Sequence, residues 1–259
     1  MSTSVEMQTK RGKDRLIVAL DVPSHAEALR LVQELDNVFF FKIGLELILA
    51  GKVLELIEEL QKERSGEGGI FIDLKVGGDI SNTITRFVEV CATHRIKFIT
   101  LSDPASYAIA SGVIPTAVQA RGESQYPKIL AVPLLSSSRT DETTLKELGS
   151  SDVTDYILKR GKRLIEEGCD GLIVSGDAIK HCKDTFKDTI IVSPGIRPSG
   201  TRADDHERFT TPGKAIALGS DYLVVGRPIL NAPDRRTAAQ NIIDEIDAAL
   251  DHKSAPVLM

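Results

Sequence analysis

The sequence predicts an α/β protein, a single-domain (βα)8 barrel of the TIM type, and three observations carry that expectation. Short apolar, β-branched runs alternate with amphipathic stretches from residue 15 onward, the strand-like runs number eight, and no Pro- or Ser-rich linker divides them. Near-continuous apolar strands separated by helices indicate a parallel sheet covered by helices, and right-handed crossovers close such a sheet into a ring. A length of 259 residues is ordinary for one such barrel.

The first run is RLIVALDV from Arg15, followed by HAEALRLVQELD, whose apolar residues recur at three- and four-residue spacing. VFFFKIG from Val38 is second, with LELILAGKVLELIEELQK as its helical partner. GIFIDLKV from Gly69, IKFITLS from Ile96 and KILAVPLL from Lys128 are the third to fifth. The amphipathic VTDYILKRGKRLIEEG then leads into GLIVS from Gly171, TIIVSPG from Thr189 and DYLVVG from Asp221. The expected organisation is a polar N-terminal segment over 1–14, the barrel over 15–250 and a tail over 251–259. Two polar loops exceed a minimal connection: SSSRTDETTLKELGSSD after strand five and RPSGTRADDHERFTTPG after strand seven. Both follow strands, at the mouth where barrels place lids and binding groups.

Hydrophobic residues make up 42% and charged residues 27%, the balance of a globular protein. The formal charge of −5 argues against a nucleic-acid surface, which needs clustered excess Lys and Arg, and favours a small substrate or a protein partner. Cys91, Cys169 and Cys182 form no CxxC pair and read as small buried hydrophobes rather than a disulfide or zinc framework. The polar MSTSVEMQTKRGKD has no apolar core of a targeting segment, and no run reaches the roughly 18 apolar residues of a membrane span. The expected location is the cytoplasm.

Charge at the ends of apolar strands is the most informative feature, because an ionised group inside a barrel is costly unless paired or functional. Strand one ends at Asp21, strand two carries Lys42, strand three carries Asp73 and Lys75, and Asp79 follows. Residues two apart on a strand share a face, so Asp73 and Lys75 should project into the mouth while Ile72 and Leu74 face the helices. Lys42, Asp73, Lys75 and Asp79 then make an array of alternating sign; spacing alone equally fits salt bridges that close the barrel top. After strands seven and eight come VSPGIRPSG and VVGRPI, where barrels commonly hold a phosphate. Gly226 allows close backbone approach and Arg227 a bidentate clamp. The five histidines show no ligand spacing, so no metal is expected; His206 lies in the long loop after strand seven.

These motifs resemble the bacterial type of orotidine 5′-monophosphate (OMP) decarboxylase, from about Leu16 to the helix after Asp234. The likeness rests on LDV with Asp21, KIG with Lys42, FIDLK with Asp73 and Lys75, DISNT from Asp79 to Thr83, VSPGIRP, Thr211–Pro212 and LVVGRPI. It implies decarboxylation of OMP to UMP in de novo pyrimidine biosynthesis without metal or organic cofactor. Lys75 would be the proton donor, flanked by Asp73, Asp79 and Lys42. Asp79 and Thr83 would reach across the interface of a homodimer into the neighbour's site.

Asp21 would bind the ribose, Ser136 or Ser137 the pyrimidine, and Gly226 and Arg227 the phosphate, with Arg197 opening the closing loop and His206 standing where a glutamine usually meets the phosphate. The chain departs from the family pattern in DLKVGGD, one residue longer than Asp-x-Lys-x-x-Asp, which a glycine bulge in the strand-to-helix turn would absorb. It departs again at Ser102 and Asp103, where many members have His-Ala. Two other readings stay open: a Mg-dependent sugar-phosphate decarboxylase or synthase on a similar barrel, and a non-catalytic nucleotide-binding barrel.

Overall fold

A computed structural model describes residues 10–64, 68–77, 80–102, 112–138, 141–198 and 209–254. Eight parallel strands close into one barrel in sequence order: β1 (Leu16–Ala19), β2 (Phe40–Ile43), β3 (Gly69–Val76), β4 (Phe98–Leu101), β5 (Lys128–Ala131), β6 (Gly171–Ile173), β7 (Ile190–Ser193) and β8 (Tyr222–Val225). β8 pairs with β1 through Leu223 and Leu16, so the sheet has no free edge. All eight coincide with the runs read from the sequence.

Helices surround the ring: α1 (Gly12–Arg15), α2 (His25–Glu34), α3 (Leu45–Leu49), α4 (Val53–Glu63), α5 (Ser81–Thr93), α6 (Val113–Arg121), α7 (Glu142–Glu147), α8 (Val153–Glu166), α9 (Ala178–Thr185), α10 (Pro212–Leu218), α11 (Arg227–Leu230) and α12 (Arg235–Ser254). Their starts have local causes. Ser24 accepts from the Glu27 amide at α2, Asp152 from that of Asp155 at α8, and Thr211 from that of Lys214 at α10, where Pro212 presets the first turn. α7 falls inside the stretch read as an unbroken loop after β5; Asp141 caps it by accepting from the Thr144 amide at 2.7 Å. A capped helix of six residues carries too short an apolar period to stand out in sequence. Among the described residues no helix is long and apolar enough to cross a membrane.

Strand alternation sorts side chains into two cores. Ile17, Phe40, Phe71, Phe98, Leu130, Val192, Tyr222 and Val224 fill the barrel, while Val18, Phe41, Ile72, Ile99 and Leu223 pack against the helices. Inside, the rings of Phe40, Phe98 and Tyr222 stand 5.0–5.8 Å apart, and Phe71 meets Phe98 edge-on at 6.0 Å. This aromatic plug makes the lumen a packed core and gives the mouth a dry floor.

Carboxylates clip the opposite end. Asp170, ahead of β6, accepts from the Ile129 amide, Arg121 and Lys128, and Asp221, ahead of β8, accepts from the Ile191 amide and Lys183, both at 2.8 Å. Each thus ties its strand to the neighbouring pair. Asp221→Ala leaves the Ile191 amide and the Lys183 ammonium without this acceptor and is expected to cost about 3 kcal/mol. Urea unfolding should show that loss with no change at the mouth.

Cys91, Cys169 and Cys182 are buried free thiols, and burial pushes each up to about 12. A thiol reagent at pH 8 should therefore label none of them in the native protein and all three after denaturation.

Candidate active site

The mouth holds a cavity of about 240 Å3. Its floor is Ala19, Phe71, Val132, Ile173 and Val224, which belong to the barrel's inner core. One wall, from the ends of β1 to β3, carries Asp21, Lys42, Asp73 and Lys75; a second wall, beyond β7 and β8 and adjoining β1, carries Pro194, Gly195, Arg197, Gly226 and Arg227. Leu135 and Ser136 close the side after β5.

The first wall is a chain of alternating charge. Lys42 Nζ lies 3.1 Å from Asp21 Oδ1 and 3.6 Å from Asp73 Oδ2, and Lys75 Nζ donates to Asp73 Oδ1 at 2.8 Å. Lys42 is 8% exposed, a depth at which an ammonium needs its two carboxylates. Both ends of the chain are accessible, Asp21 with 55% and Lys75 with 38% of its side chain exposed, while Lys42 and Asp73 lie deeper. Burial pushes the Asp73 carboxyl up, but attraction to Lys42 and Lys75 and hydrogen bonds from Lys75 and Thr100 outweigh it and hold the group below its ordinary 3.8.

Backbone geometry places Lys75. β3 pairs regularly with β4 through Phe71–Phe98 and Ile72–Ile99, then resumes at Val76–Leu101, so Asp73, Leu74 and Lys75 stand opposite Thr100 alone. Lys75 takes φ 51°, in the left-handed region that non-glycine residues rarely adopt. Its amide donates to Thr100 Oγ1 at 3.0 Å, and that hydroxyl donates to Asp73 Oδ1 at 2.8 Å. That irregularity precedes Gly77; Gly78 and Asp79, in the turn where a glycine bulge is expected, lie outside the described residues. Gly77 serves close packing: a Cβ there would stand 2.1 Å from the Ser102 carbonyl oxygen.

The second wall combines open backbone with guanidinium groups. A Cβ on Gly226 would meet nothing closer than 3.5 Å, at Ala19 and Asp21, so its face opens toward the cavity and Asp21. Arg227 begins α11 beside it, half-buried. Arg197 is buried at 6% exposure, its amide bonded to Thr210 O, where an isolated Ile196–Thr210 bridge joins the two ends of the long loop after β7.

Eight of the predicted site residues converge here: Asp21, Lys42, Asp73, Lys75, Ser136, Arg197, Gly226 and Arg227 line the cavity, while Ser137 is exposed and outside the lining. Of the two serines, Ser136 alone faces the cavity. Thr83 is exposed in the first turn of α5 and does not line it. Asp79, His206 and Asp103 fall outside the described residues. Sequence reasoning missed Thr100, and it missed Asp21 as the second carboxylate of Lys42. No three His, Cys, Asp or Glu side chains are grouped to hold a metal ion among the described residues.

A closed eight-stranded barrel with an ion-pair chain on one wall of its mouth and arginines with open glycine backbone on the other defines a barrel enzyme for a small anionic ligand. Comparison with known proteins narrows that class. The chain belongs to the orotidine 5′-phosphate decarboxylase / HUMPS family, whose model matches residues 14–242. It is 42% identical over 241 residues to an orotidine 5′-phosphate decarboxylase of Rhodopseudomonas palustris, covering 92% of this chain and 97% of the relative. It is 39% identical to the enzyme of that name from Ruegeria pomeroyi, covering 90% and 94%. Among solved structures, the orotidine 5′-phosphate decarboxylase of Lactobacillus acidophilus superposes with a TM-score of 0.73 at 30% identity, over 90% of this chain and all of that one.

Proposed function

We propose that this chain decarboxylates OMP to UMP and CO2, the step its relatives are named for, using neither metal nor organic cofactor. The observation that carries the reading is the Lys75 ammonium, held 2.8 Å from Asp73 at one end of the charge chain, across the cavity from Arg197, Gly226 and Arg227. Breaking the bond from C6 of the orotate ring to its carboxylate releases CO2 and leaves the electron pair on C6, with no adjacent carbonyl to delocalise it. A fixed cation is the device left to the protein. Lys75 stabilises that carbanion and transfers its proton to C6, giving UMP; solvent then restores the ammonium.

The other roles follow the two walls. Gly226 and Arg227, with Arg197, receive the phosphate, Asp21 the ribose and Ser136 the pyrimidine. Phosphate binding remote from C6 supplies energy expressed in the transition state. The exposure of Thr83 supports the homodimer reading, in which Asp79 and Thr83 serve the neighbour's site.

The test is a spectrophotometric assay with OMP in EDTA. A fall in orotate absorbance is expected. Activity abolished by EDTA, or found only with sugar phosphates, would support the Mg-dependent relative on the same barrel. Binding of UMP with no absorbance change would leave a nucleotide-binding barrel.

A further inference from the structure

We infer that Thr100 is a positioning residue for Lys75, an inference that rests on the decarboxylase reading for its kinetic consequence but not for its geometry. Thr100 is fully buried beneath the cavity and is absent from its lining, so it acts through other groups. It is the single polar residue of β4, between Ile99 and Leu101, and its side chain enters the barrel one step above Phe98.

Three residues of β3, Asp73 to Lys75, stand opposite it alone. There the Lys75 amide bonds to the Thr100 side chain. The hydroxyl accepts from that amide at 3.0 Å and donates to Asp73 Oδ1 at 2.8 Å, the same oxygen that receives the Lys75 ammonium at 2.8 Å. A closed ring results: amide of residue 75, hydroxyl, carboxylate oxygen, ammonium of residue 75. The ring holds a lysine at φ 51°, where the backbone persists only if its surroundings over-determine it. It also spends one lone pair of Asp73 Oδ1 on a fixed donor, so the carboxylate cannot rotate away from Nζ. β-branching suits the role, because Thr has few rotamers in a strand and its hydroxyl stays aimed.

The experiment pairs Thr100→Val, which keeps the shape and deletes the hydroxyl, with Thr100→Ser, which keeps the hydroxyl. The outcome expected is a kcat about 10–100-fold lower in Thr100→Val, with KM within about threefold of the parent, and Thr100→Ser within about threefold of the parent in both. A purely structural role would lower both variants through stability without splitting kcat from KM. If Thr100→Val fails to fold, Thr100→Ala replaces it against the same serine control. Unchanged kcat in the valine variant, or a serine variant as impaired as the valine one, overturns the inference. Crystal structures of the same variants are read alongside: Lys75 should leave positive φ or Nζ should leave Asp73 in Thr100→Val. An unmoved Lys75 overturns the inference even if the parent chain proves unable to turn over OMP, a result that would separately sink the decarboxylase reading.

Discussion

Lys75→Ala is expected to lower kcat for OMP by at least about 10^4-fold, because one side chain performs two tasks, electrostatic stabilisation of the carbanion and its protonation. That factor corresponds to about 5.5 kcal/mol of transition-state free energy. UMP affinity should stay within about tenfold, or ~1.4 kcal/mol, since the groups assigned to phosphate and ribose lie beyond β7 and β8 and at Asp21. The split is diagnostic: a lysine that merely closed the barrel top would change stability and leave kcat alone. Steady-state assay with parallel UMP titration measures both, and an undiminished kcat would remove Lys75 from the chemistry.

Asp73→Asn should lower kcat by about 10^2–10^3-fold while preserving the fold. The amide keeps the shape and an acceptor for Thr100, but the Lys42 and Lys75 ammonium groups then share one wall with no charge between them, and among the described residues only Lys42 retains a carboxylate, Asp21. The pH dependence has a definite sign. The Asp73 carboxyl lies below its ordinary 3.8 in the folded protein, so its charge contributes stability that is present above that value and lost as pH falls through the lowered one. Urea unfolding should show the parent's advantage over Asp73→Asn at pH 7 shrinking toward pH 3. An advantage that grows on acidification, or a kcat within threefold of the parent, would contradict the assignment.

Much of this architecture was legible in the chain because its signals are local or periodic. Every strand shows as a β-branched run, and strand periodicity turned Asp73 and Lys75 inward while Leu74 packed outward. That agreement is partly fortunate, since the pairing with β4 is broken there and Lys75 leaves strand geometry, yet the alternation of faces survives. What was not legible depends on closure of the ring. Asp21 meets Lys42 because β1 and β2 are neighbours in register, Ala19 beside Lys42. Thr100 matters only through a bulge in the strand next to it, and a lone threonine in an apolar strand resembles any β-branched strand residue. The choice between Ser136 and Ser137 turned on which way a turn directs its side chains, and the register shift at Asp73 to Lys75 has no glycine of its own to announce it.

The most direct measurement is a crystal structure of the protein with 6-aza-UMP. Lys75 Nζ should lie within hydrogen-bond distance of ring position 6, still bonded to Asp73, with the phosphate against Gly226 and Arg227. A ligand bound in the opposite sense, or an Nζ turned away from the ring, would contradict the account.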